Sequence, residues 1–89
     1  MIRRTVFFSG HVQGVGFRYT AKHVAGRFDV RGYVKNLRDG RVEAVVEGEP
    51  EEVAAFVNAV REEMSPNVRD VQCNDSPASG EFADFAIRF

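Results

Sequence analysis

Two stretches of this chain carry apolar residues at helical spacing, and each stands between runs of strand-forming residues. In the first, Phe17, Ala21, Val24, Ala25 and Phe28 recur along one helix face. In the second, Val53, Phe56, Val57, Val60 and Met64 do the same. A helix with one apolar stripe must bury it against another layer. That layer is available as a sheet: residues 3–9, 30–37, 41–48 and 68–74 are rich in β-branched and aromatic types, and Phe85, Ile87 and Phe89 alternate. The order is β-α-β-β-α-β with a short β extension. It predicts a ferredoxin-like two-layer α+β sandwich, an antiparallel sheet with two helices on one face. With 89 residues, one domain spanning 1–89 is expected.

The finer pattern assigns faces and ends. Val6 and Phe8 are expected in the core, as are Val42, Ala44 and Val46, with Glu43, Val45 and Glu47 turned outward. Val30 and Val34 share a face opposite Tyr33 and Lys35. The first helix is expected to end near Phe28-Asp29. The second opens on Pro50, with Glu51 and Glu52 complementing the helix dipole, and stops at Ser65-Pro66. Asp39-Gly40 between two β-type runs predicts a hairpin, and residues 75–81 a loop.

The first strand runs into Ser9-Gly10-His11-Val12-Gln13-Gly14-Val15-Gly16-Phe17-Arg18, a glycine-rich entry to a helix. The capping position holds Gly16 in place of Ser, Thr, Asp or Asn, so the first N–H groups of the helix lack a side-chain acceptor. Such a turn can gather N–H groups around a phosphate or carboxylate. A cation in the first turn opposes the helix dipole by about 0.3–1 kcal/mol. Arg18 stands there, and a bound anion would reverse that penalty and accept two guanidinium hydrogen bonds. The crossover helix makes the first two strands parallel with another strand between them. Asn36, at the end of the second strand, therefore falls on the same sheet edge as the glycine loop. Its amide can serve the following turn or donate to and accept from a ligand or water.

Other chemistries fit poorly. The glycine spacing matches neither the nucleotide P-loop nor the dinucleotide fingerprint. His11, His23 and Cys73 have no metal-ligand spacing, and Ser9 has no evident base. Both histidines read as solvated, although His11 also lies within reach of an anion held by the loop. Glu51, Glu52, Glu62 and Glu63 read as a solvated helix face, and Cys73 as a small packed residue. A net charge of −1 gives no global field for nucleic acid or anionic membranes, so any anion site is local. One cysteine excludes an internal disulfide, and no apolar run reaches a membrane span. A cytoplasmic location is expected.

The stretch from Gly10 to Arg18 resembles the first signature of the acylphosphatase family. Gly32-Tyr33-Val34-Lys35-Asn36-Leu37-Arg38-Asp39-Gly40-Arg41-Val42, continued to Gly48, resembles the second. The likeness covers nearly the whole chain, including the Phe85–Phe89 ending. It implies a metal-free, cofactor-free hydrolase that cleaves the carboxyl–phosphate bond of acyl phosphates. Arg18 would bind the phosphoryl group together with main-chain N–H groups of Val12, Gln13, Gly14, Val15, Gly16, Phe17 and Arg18. Asn36 would orient the attacking water. Inorganic phosphate would be product and competing ligand, and the protein a monomer without nucleic-acid or membrane partners. Two rivals share the fold: a non-catalytic anion-binding module, and an RNA-binding domain that stacks bases on sheet aromatics such as Phe7 and Tyr33. The third strand, 41–47, offers no aromatic for such stacking.

Overall fold

The computed structural model describes residues Met1–Phe89. Its elements are β1 (Ile2–Gly10), α1 (Phe17–Ala25), β2 (Val30–Asn36), β3 (Val42–Gly48), α2 (Pro50–Glu63), β4 (Val68–Pro77) and β5 (Phe85–Arg88). The five strands form one sheet in the order β4-β1-β3-β2-β5. Four strands pair antiparallel, as expected of a ferredoxin-like fold. The fifth pairs parallel with β2, so the sheet is mixed and not wholly antiparallel. No helix is long and apolar enough to cross a membrane.

Strand alternation places Val6, Phe8, Val34, Val42, Ala44 and Val46 against the helices, each at most 1% exposed. The helix stripes meet them through Phe17, Ala21, Val24, Val53, Phe56, Val57 and Val60, in one core cluster. Phe8 and Phe17 pack with ring centroids 4.9 Å apart, tying the loop-to-helix junction to the sheet. Truncating an aromatic at such a position typically costs about 3–5 kcal/mol.

Helix α1 stops three residues before the expected end. Gly26, Arg27 and Phe28 donate to His23, Val24 and Ala25, so the chain tightens into three-residue turns. Phe28 still packs against the core, which is why it belongs to the apolar stripe. Strand β4 runs to Pro77, taking residues 75–77 out of the expected loop by pairing with Ile2, Arg3 and Arg4. It lies at the sheet's edge, and most of its side chains are exposed. Cys73 is among them, contrary to its reading as a packed residue.

The outward sheet face departs from the simple alternation. Glu47 points away from the helices yet is only 6% exposed, because residues 79–81 fold over it. Its carboxylate accepts from Arg3 Nε (2.7 Å), Ser79 N and Oγ (both 2.9 Å) and Gly80 N (3.0 Å). Burial by itself would raise its pKa. The donors from Ser79, Arg3 and Gly80 outweigh burial and hold it at about 2. The aromatics of this face are covered by guanidinium groups: Arg41 stands 4.6 Å from the Phe7 centroid and Arg88 4.0 Å from that of Tyr33. Such rings are already engaged in cation–π contacts and do not present a bare stacking platform.

Candidate active site

The ends of β1 and β2 are level with each other across β3. Phe8 and Asn36 both pair with Val42, one from each side. With a strand spacing of about 4.8 Å, their backbones lie roughly 10 Å apart. The chain leaving β1 therefore has room for one small loop before it reaches Asn36, and residues 11–16 fill that gap.

Val12 anchors the loop by burying its side chain at 1% exposure, and Phe17 anchors the other end at 2%. Between them, Gly14 and Gly16 take φ values of 75° and 76°, in the left-handed region. Gly16 is the N-terminal capping residue of α1, and no side chain caps it. No acidic residue stands in the first turn. The consequence is a run of unused donors. The main-chain N–H groups from Val12 to Tyr19 find no main-chain acceptor in the protein; Thr20 N, bonded to Gly16 O at 3.0 Å, is the first to do so.

These donors border a cavity of about 120 Å³ lined by Val12, Gly14, Gly16, Phe17, Arg18, Tyr19 and Asn36. A water molecule occupies about 30 Å³ in the liquid, so the space suits a small polyatomic group. Arg18 is half-buried and held from behind. Its Nη1 donates to the Arg88 carbonyl at 3.3 Å, and its guanidinium lies 4.7 Å from the Phe89 ring centroid. A guanidinium has five donors, so most remain free. Asn36 is on the opposite side of the sequence but on the same cavity wall. Asp39 makes the hairpin's side-chain bonds, accepting from Arg41 N at 3.1 Å and Arg41 Nε at 2.8 Å. Asn36 takes no part in them, which disposes of its reading as a turn former.

Of the residues singled out in the sequence, the cavity thus gathers Val12, Gly14, Gly16, Phe17, Arg18 and Asn36. Val15 instead turns its side chain onto the core. Gln13 also turns away, into a role that sequence reading missed. Its Nε2 donates to the Leu37 carbonyl at 2.7 Å and the Arg41 carbonyl at 2.9 Å. This amide clamps the glycine loop to the β2–β3 hairpin immediately after Asn36. Tyr19 was the other omission: it lines the cavity while 64% exposed. His11 lies outside, in an open groove with Ser9, Gly10 and Arg69.

Fold and cavity together define a ferredoxin-like α+β protein with an open row of donors at the shared end of β1 and β2. The family model for acylphosphatase matches residues 4–87. An acylphosphatase of Listeria welshimeri is 52% identical over 61 residues, an alignment covering 68% of this chain and 66% of the relative. One from Anaeromyxobacter is 42% identical over 89 residues, covering 99% of this chain and 96% of the relative. The crystal structure of acylphosphatase from Bacillus subtilis superposes with a TM-score of 0.92 at 34% identity, each chain covered in full. The chain belongs to the acylphosphatase family, enzymes that act on small acyl phosphates.

Proposed function

We propose that this chain hydrolyses acyl phosphates by in-line attack of a water on a phosphoryl group held between the glycine loop and Arg18. The observation that carries this reading is the run of unaccepted N–H groups from Val12 to Tyr19, bordering a cavity shared by Arg18 and Asn36. Phosphoryl transfer asks chiefly for positioning and for donors fixed around the equatorial oxygens. Main-chain N–H groups of Val12 through Arg18, with the Arg18 guanidinium, supply those donors. The Asn36 amide donates to or accepts from the water and aims its oxygen at phosphorus.

The water oxygen bonds to phosphorus as the bond from phosphorus to the acyl oxygen breaks. The electron pair of that bond leaves with the carboxylate. A carboxylic acid has a pKa near roughly 4, so the leaving group departs unprotonated and needs no general acid. The water's proton passes to a phosphoryl oxygen, giving inorganic phosphate. Every group invoked is a donor or an amide, and the reaction proceeds without metal or cofactor. The protein acts as a monomer in the cytoplasm, with no nucleic-acid or membrane partner.

Hydrolysis of benzoyl phosphate tests the reading. Turnover should be unchanged by EDTA and competitively inhibited by inorganic phosphate. Phosphate binding without turnover would instead mark a non-catalytic anion module, and activity lost to EDTA would refute the metal-free route.

A further inference from the structure

Beyond the phosphoryl group, the site has a second surface. We infer that Tyr19 is a specificity-determining residue whose exposed ring carries the acyl end of the substrate and favours apolar, planar acyl groups. The inference rests on the hydrolase reading above and concerns the half of the substrate that reading leaves unplaced.

The cavity bordered by the loop measures about 120 Å³. The free N–H groups that would hold a phosphoryl group are gathered on the loop side of this small cavity. The acyl group must then lie across the rim. Two features of the rim are relevant. Arg18 is the only charged residue among those lining the cavity, and phosphate claims it, so no partner remains there for an ionised acyl end. Tyr19 contributes the one large apolar surface of the lining that faces solvent: Val12 and Phe17 are 1% and 2% exposed, Tyr19 64%.

Its hydroxyl makes no hydrogen bond to the protein, and its ring is absent from the aromatic contacts that fix Phe8, Phe17, Tyr33, Phe56, Phe82 and Phe85. An unused aromatic face next to a small polar cavity suits a planar acyl group, which stacks with modest gain and low entropy cost.

Helix geometry supports the division of labour. Successive residues at the start of α1 point roughly 100° apart, so Phe17 enters the core, Arg18 the cavity and Tyr19 the rim. Three neighbours thus anchor, bind and select.

The test compares benzoyl phosphate with acetyl phosphate in the wild-type protein, Tyr19→Ala and Tyr19→Phe, with inhibition by inorganic phosphate as a measure of the phosphoryl subsite. Tyr19→Ala should raise KM for benzoyl phosphate about fivefold to tenfold, within the roughly twofold to twelvefold that one aromatic contact spans. Acetyl phosphate kinetics and the phosphate inhibition constant should move less than about twofold on the same grounds. Tyr19→Phe should retain the preference, because the ring and not the hydroxyl is at work. Equal losses on both substrates in Tyr19→Ala, or unchanged benzoyl phosphate kinetics, would overturn the inference and leave the hydrolase reading intact. A wild-type protein that hydrolyses neither substrate would refute that reading, and this inference with it.

Discussion

Gln13 offers the most discriminating perturbation of the site, because its contribution is made by two donors aimed at two carbonyls. In Gln13→Ala both hydrogen bonds are lost. Each is worth about 0.5–1.5 kcal/mol net in a part-buried setting. The carbonyls keep other partners: Leu37 O also accepts from Gly40 N at 3.2 Å, and Arg41 O from Leu37 N at 2.8 Å. No acceptor is stranded, so the cost should stay near about 1–2 kcal/mol, equivalent to a Tm drop of roughly 5–12 °C for a chain of this size.

The catalytic effect should be larger in kcat than in KM. The clamp sets the loop against Asn36, and misplacement by an ångström can cost up to about 100-fold. Gln13→Glu sharpens the case. It keeps the shape but places a carboxylate, which only accepts, against two carbonyls. It should therefore be worse than alanine in both Tm and kcat at neutral pH. Thermal unfolding and steady-state hydrolysis of benzoyl phosphate measure both. A Gln13→Glu protein with wild-type kcat and Tm would show that the amide does not hold the two halves of the site together.

The two principal site residues should separate kinetically. Arg18→Ala should raise KM and lower kcat for benzoyl phosphate and weaken inhibition by phosphate, whereas Asn36→Ala should lower kcat about 100-fold or more with KM near wild type; an Asn36→Ala enzyme with full turnover would remove its assigned role. Glu47 should confer acid-sensitive stability. Its folded pKa of about 2 lies below the ordinary 4.5, so its contribution is present above pH 4.5 and is lost as the pH falls towards 2. That contribution is at most about 3 kcal/mol, less where solvent screens the half-exposed Glu81 and Arg3. Urea unfolding of wild type and Glu47→Gln should show a gap at pH 7 that closes near pH 2; a gap independent of pH would contradict the network. Cys73→Ser should leave stability within about 0.5 kcal/mol of wild type, as for surface substitutions generally, and activity unchanged. Although Cys73 is exposed, desolvation of its sulfur pushes the thiol pKa up, so its reaction with a disulfide reagent at pH 7 should be slow.

Much of this organisation is legible in the sequence because it follows from local rules. The strand alternation of Val42, Ala44 and Val46 and the stripe from Phe17 to Phe28 give the two layers, and the parallel crossover brings Asn36 to the loop's edge of the sheet. What escaped is set by contacts between segments distant in sequence. Glu47 obeys the alternation and points outward, but nothing near it in sequence announces that Ser79 and Gly80 will cover it. The Gln13 clamp reaches 24 and 28 residues along the chain. A lone loop glutamine has no periodicity to betray it. The exposure of Cys73 is hidden for a related reason: the residues of β4 do not reveal that it is an edge strand beyond the helices' cover. The extension to Pro77 likewise depends on pairing with β1 and not on strand propensity.

The glycines of the site bear on chirality. At Gly32 a side chain would run into the Val45 carbonyl, so that position is limited by space. At Gly14 and Gly16 a Cβ would meet nothing within 4 Å, and the only obstacle is the sign of φ. An L-residue there costs about 1–2 kcal/mol for its handedness alone. A D-alanine introduced by chemical synthesis would find its own preferred region at the same φ. It would also reduce the freedom of the unfolded chain, a gain of about 0.4–1 kcal/mol where the backbone fits. The glycine loop is thus a short segment of opposite hand within an L-protein, and mirror-image residues could stiffen it without redirecting its N–H groups.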